Sequence, residues 1–221
     1  AQTTEELNFR TMKYNVVAAQ MSRGKLEKIT AFALASIAGT LSKLAMDICL
    51  YNSQNFGFVT FPDQLTTGSS IMPHKKNPDV FELVRGRCNL VQSVPGQITL
   101  LTNNLPSGYH RDFQLLKEPL FPAMQSLADC LEISEYMLQH IQINPDTLND
   151  PKYDYLYSVE NVNHEVMQGM TFRDAYKKIG TQVQNGEFVP NKSVNHSHEG
   201  SIGNLCTEEI RSKMEEVIAN H

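Results

Sequence analysis

The run Gly68-Ser69-Ser70-Ile71-Met72-Pro73-His74-Lys75-Lys76-Asn77-Pro78 carries the densest chemistry in the sequence. A glycine- and hydroxyl-rich stretch leads there into a helix start. Asn77-Pro78-Asp79 supplies an N-cap residue, a proline for the first helical position and an acid for the first turn. A helix N-terminus presents free N–H groups and the positive end of a dipole, so carboxylates and phosphates bind to it readily. Lys75 adds a full positive charge, and the amide of Asn77 can donate. Ser69 sits where a bound acid could meet it. These residues suit a small dicarboxylate; a plain helix-entry loop is the other reading of the same spacing. Charge points the same way. Residues 69–120 hold six Lys and Arg against four Asp and Glu, in a chain whose net charge is -5. A locally positive stretch in an acidic protein suits a small anionic ligand, although a solvated charged face has the same composition.

The run resembles the signature of the fumarase/aspartase superfamily, GSSxMPxKxNP, at every specified position. Its continuation, Asp79 to Gly86, is similar to the form found in argininosuccinate lyases. So is Leu105-Pro106-Ser107-Gly108-Tyr109-His110-Arg111-Asp112-Phe113-Gln114-Leu115-Leu116-Lys117-Glu118, which resembles that family's LPxxYxxDxQxxKE. The resemblance implies an all-α fold, a long-helix bundle followed by a small C-terminal helical domain. It implies β-elimination: a base takes a proton beside a carboxylate, the carbanion's charge spreads into that carboxylate, and the C–N bond breaks to leave arginine and fumarate.

The roles it implies are specific. Ser69 is the proton-transfer residue. A serine hydroxyl is a poor base at neutral pH, so its surroundings must lower its pKa or stabilise the developing charge. Lys75 and the loop's N–H groups are the stabilisers, and Lys75 and Asn77 hold the fumarate-side carboxylates. Glu82 orients a catalytic histidine, and Ser70 donates to substrate. Tyr109, Gln114 and Lys117 grip the arginine half. No cofactor and no metal is implied. The expected partners are argininosuccinate and copies of the chain in a homotetramer, each active site drawing on three subunits. Neither nucleic acid nor membrane is expected, and the setting is cytoplasmic. Two rival readings are another fumarate-releasing lyase of the superfamily and a non-catalytic homologue like the lens crystallins.

Family members are about twice this long, and their N-terminal domain carries a Thr-His pair. No Thr-His dipeptide occurs here. The expectation is a C-terminal fragment that does not turn over argininosuccinate by itself.

The elements that must position these residues are helical. Leu26, Ile29, Ala33, Ile37, Leu41, Leu44, Ile48 and Tyr51 recur every three or four residues and predict one long amphipathic helix. Lys43 and Asp47 interrupt its apolar run, so it reads as a core helix and not a membrane span. A second helix follows Pro78 with Val80, Leu83, Val84, Leu90, Val91 and Val94, and Pro95 should kink or break it. A third runs from about Pro119 to Ile141 with Leu120, Met124, Leu127, Leu131, Met137 and Leu138. Long helices with short connectors predict a bundle. No strand alternation appears. Beyond Asn144-Pro145 the helices shorten, with starts at Asp150-Pro151, Thr171 and Thr207. The predicted domains are 1–150, a partial central bundle with its signature loop at 66–78, and 151–221.

Composition excludes other classes. A nucleic-acid binder would show a basic stripe. Cys49, Cys88, Cys130 and Cys206 form no CxxC pair and no zinc spacing, as expected of reduced cytosolic thiols. His196-x-His198 with Glu199 is the one tempting metal cluster, and a packed loop is the plainer reading.

Overall fold

The computed structural model describes residues 2–68, 71, 76–194 and 196–220. Its contacts divide the chain into two compact units, 1–145 and 146–221. The described residues are mostly helical.

Two short helices, α1 (Gln2–Glu6) and α2 (Val16–Met21), precede the long α3 (Lys25–Tyr51). Gly24 starts α3 with a φ of 79°, and its backbone N–H donates to Glu27 at 2.7 Å. A side chain at Gly24 would meet Thr102, because a Cβ there would lie 2.6 Å from the Thr102 Cγ2. α4 (Asp79–Val91), α5 (Val94–Leu101) and α6 (Lys117–Gln139) pack against α3. Pro95 breaks the chain's second long helix as expected: α4 ends at Val91, and Pro95 falls in the first turn of α5, where a missing N–H costs nothing. Pro122 lies inside α6, beyond its first turn, where it removes one intrahelical N–H donor.

The buried face of α3 differs from the one its large residues suggest. Ala31, Ala38, Leu41, Ala45 and Ile48 are buried, while Leu26, Ile29, Ile37, Leu44 and Tyr51 are exposed. The same displacement occurs in α4, where Phe81, Val84, Cys88 and Val91 are buried and Leu83 and Leu90 are not. In α6, Ala123, Cys130 and Ser134 join Leu120, Leu127 and Met137 inside, and Met124 and Leu131 stay out. Small side chains let helix axes approach closely, so they take the crowded seam. By length and composition the stretch Val16–Tyr51 could cross a membrane. A bundle's core helix passes the same test, and one face of α3 is covered by three other helices.

Among the described residues, four two-residue strands, too short to show alternation in sequence, form two minimal antiparallel pairs. β1 (Val59–Thr60) pairs with β4 (Gln142–Ile143), and β2 (Thr67–Gly68) pairs with β3 (Lys76–Asn77). Asn77 is therefore not the helix cap expected from sequence. It is held extended opposite Thr67, and Pro78 takes the cap position without a side-chain bond.

In residues 146–221, Asp150 caps a 3₁₀ turn, Pro151–Tyr157, by accepting from the N–H of Lys152 at 3.0 Å. α7 (Ser158–Met167) follows. Sequence suggested one continuous helix here; the first two turns are 3₁₀ instead. α8 (Phe172–Asn185) has Thr171 as N-cap and a left-handed Gly186 at its end, as the sequence signals. Val162, Ala175 and Ile179 form a small core between α7 and α8. α9 (Thr207–Ala219) has no buried residue.

Candidate active site

The base of the signature segment is a hairpin. Thr67 pairs with Asn77 and Gly68 with Lys76, so these four residues form one antiparallel pair. Ser69, Ser70, Lys75 and His74 lie outside the described residues. Asn77 is half-buried and Glu82, in the first turn of α4, is exposed. Both line a cleft of about 1050 Å³, together with Cys49, Asn52, Asp63, Thr66 and Lys76. Asn77 comes to the wall through strand pairing and Glu82 through the helix turn that follows.

Side chains also cross the hairpin base. Lys76 forms an ion pair with Asp63, and Thr67 donates from its hydroxyl to Asp79. Asp63 lies in a 3₁₀ turn, Asp63–Leu65, just before β2. Sequence reading did not single out Asp63, Thr67 or Lys76. The available signal was weak: an acid after Pro62, with a lysine of opposite charge thirteen residues on. Arg85 reaches the other way, its Nη1 lying 3.0 Å from the Met46 Sδ. Burial raises the Cys49 thiol above its ordinary pKa, against a partial lowering by Arg85 and with a further push from Glu82. A thiol in the cleft wall that stays protonated is a packing group and not a nucleophile.

The second expected trio sits in the turn before α6. The Gln114 amide donates to the Tyr109 hydroxyl at 3.4 Å, which brings two of the three together. Tyr109 stands edge-on to Phe113, with ring centres 6.1 Å apart. Phe113 is buried and anchors the 3₁₀ turn Arg111–Gln114. His110 contacts the Pro106 carbonyl at 2.8 Å, closing the preceding turn. Lys117 opens α6, exposed.

The remaining histidine pair has a packing role. The His196 Nε2 lies 3.1 and 3.2 Å from the two carboxylate oxygens of Glu160, and its ring stacks on His198. Among the described residues no three metal-binding side chains converge.

Comparison with known proteins adds to this geometry. Residues 2–93 match a protein-family profile described as lyase. The chain is 58% identical over 218 residues to the argininosuccinate lyase of Parabacteroides distasonis, 99% of this chain and 49% of that protein. It is 58% identical over 216 residues to the argininosuccinate lyase of Bacteroides thetaiotaomicron, covering 98% and 48%. The chain thus spans about half the length of the curated relatives it matches. Its fold resembles the crystal structure of fumarate lyase:delta crystallin from Brucella melitensis, with a TM-score of 0.68, 21% identity, and coverage of 83% of this chain and 41% of that one. That likeness, at 21% identity, shows a shared helical fold. Along nearly its whole length the chain is similar to about half of these argininosuccinate lyases.

Proposed function

We propose that this chain supplies part of the active site of an enzyme that splits argininosuccinate into arginine and fumarate. The observation that carries the reading is the 58% identity maintained over 99% of the chain. The cleft beside Asn77 and Glu82 agrees with it in size and polarity.

In this reading Ser69 takes the proton from the carbon next to the departing nitrogen's carbon. The electron pair left behind is delocalised into the neighbouring carboxylate, which Lys75 and Asn77 neutralise and bind. Preorganised donors of this kind stabilise charge as it forms and need no rearrangement at the moment of reaction. The C–N bond then breaks, its electrons go to the guanidino nitrogen, and an acid returns a proton there. Glu82 positions the histidine that handles that proton. Ser70 donates to the substrate. Tyr109, Gln114 and Lys117 hold the amino-acid head group of the arginine half, lysine pairing with a carboxylate and the other two forming hydrogen bonds.

The substrate and the assembly belong to the same proposal. The exposed apolar faces of α3, α4 and α6 support packing against further copies, as a homotetramer requires. Four unpaired cysteines support a reducing, cytoplasmic setting.

The test is fumarate release from argininosuccinate. The isolated chain should release essentially none, and an assembly that also contains the half its relatives carry should release it steadily. In that assembly Ser69→Ala should cut kcat by about 10²–10⁴-fold. An unsubstituted assembly with no turnover would sink the reading.

A further inference from the structure

We propose that Asp63 and Thr67 are positioning residues that clamp Asn77 into the wall of the cleft. The proposal rests on the functional reading above and adds to it two residues with no assigned role. Asn77 is flanked on both sides by anchored neighbours. On one side Lys76 is tied by its ammonium to Asp63, which sits outside the hairpin in the preceding 3₁₀ turn. On the other, Asp79 opens α4 and accepts the Thr67 hydroxyl. Thr67 is also the strand residue opposite Asn77, so one residue fixes Asn77 through the backbone and its successor helix through the side chain.

A two-residue antiparallel pair is marginal by itself. Lys76 and Asp63 are both well exposed, and exposed ion pairs are individually weak. Three weak ties acting on one short hairpin reinforce one another, because each reduces the ordering cost of the next. All of them converge on the single described residue expected to hold a fumarate-side carboxylate. A carboxylate-binding amide misplaced by about 1 Å loses much of its worth. The clamp therefore acts on substrate affinity and alignment, through Asn77.

The experiment uses Asp63→Asn, Thr67→Val, their combination, and Thr67→Ser, which keeps the hydroxyl. In the 221-residue chain, amide hydrogen exchange across Lys76–Asn77 should quicken about tenfold in the double variant, while α4 and α6 exchange unchanged. In the active assembly, equilibrium dialysis with labelled fumarate should show weaker binding by a similar factor. KM should rise more than kcat falls, and Thr67→Ser should restore both. Unchanged exchange in the double variant overturns the clamp. So does faster exchange with fumarate affinity unaltered. Absence of turnover in the unsubstituted assembly sinks the elimination reading alone, because exchange and fumarate binding still judge the clamp.

Discussion

Single side chains show how finely this chain is tuned around its helix starts and seams. Glu27 accepts from the N–H of Gly24 at 2.7 Å and from Arg23 at 2.8 Å. Burial pushes its carboxyl up, but hydrogen bonds from its own backbone, Arg23 and Gly24 outweigh that and leave it below its ordinary value of 4.5. A lowered carboxylate pKa means the unfolded chain binds the proton more readily. The stabilisation is therefore present above pH 4.5 and disappears as the pH falls through the folded-state value. Glu27→Gln should lower the urea midpoint at neutral pH, and the gap from the unsubstituted chain should close below pH 4.5. A gap that persists in acid would exclude the mechanism. Phe81 makes a second case. It is fully buried beside Phe61, with ring centres 5.7 Å apart. Phe81→Ala should cost about 3–5 kcal/mol of unfolding free energy, measured by chemical denaturation.

Among the elements, α3 depends on the way it begins. The left-handed φ of Gly24 and the 2.6 Å approach to Thr102 leave no room for a methyl group. Gly24→Ala must strain the backbone and push on Thr102, which lies beside Phe113, the residue that anchors the turn between Tyr109 and Gln114. A loss of more than about 1 kcal/mol in stability should accompany weaker binding of the arginine half, read as a rise in KM for argininosuccinate in the active assembly. Element existence was plain in the sequence: α3, α4, the break at Pro95, α6 and the caps of α8 all follow from periodicity, proline and glycine. Which face of each helix is buried was not. The repeat read from sequence includes Leu83, Leu90 and Leu44, which are exposed, and passes over Phe81 and Ala45, which are buried. Periodicity reports a repeat but cannot rank two apolar stripes on one helix. Nor could it show the hairpin at 67–77, because two residues hold no period. The candidate site residues were named through the resemblance, while helix-start chemistry misplaced Asn77, which pairs with Thr67 instead of capping α4. The turn that joins Gln114 to Tyr109 could be placed only once Phe113 was seen to be buried.

Taken whole, the described part of residues 1–145 exposes many large apolar side chains. Leu90 is 72% exposed, Leu100 75% and Phe32 59%. Isolated exposed apolar residues are ordinary, but rows of them on α3 and α6, with Leu83 and Leu90 on α4, support the proposed packing between copies. Light scattering should give a mass several times the 24.9 kDa of the chain. Leu90→Glu with Leu100→Glu should shift it toward that value, since a charge buried without a mate is costly. A chain that is monomeric without substitution would refute the assembly.

The pairing of β1 with β4 has a bearing on how such a protein can be rebuilt. Val59 lies opposite Ile143 and Thr60 opposite Gln142, so the polypeptide from one to the other is a ring fastened by a small buckle. Every residue assigned a chemical task lies inside that ring. Its two ends sit side by side, so the span is a cassette with adjoining ports. It could be lifted into a related scaffold, or given new termini there, without stretching either flank.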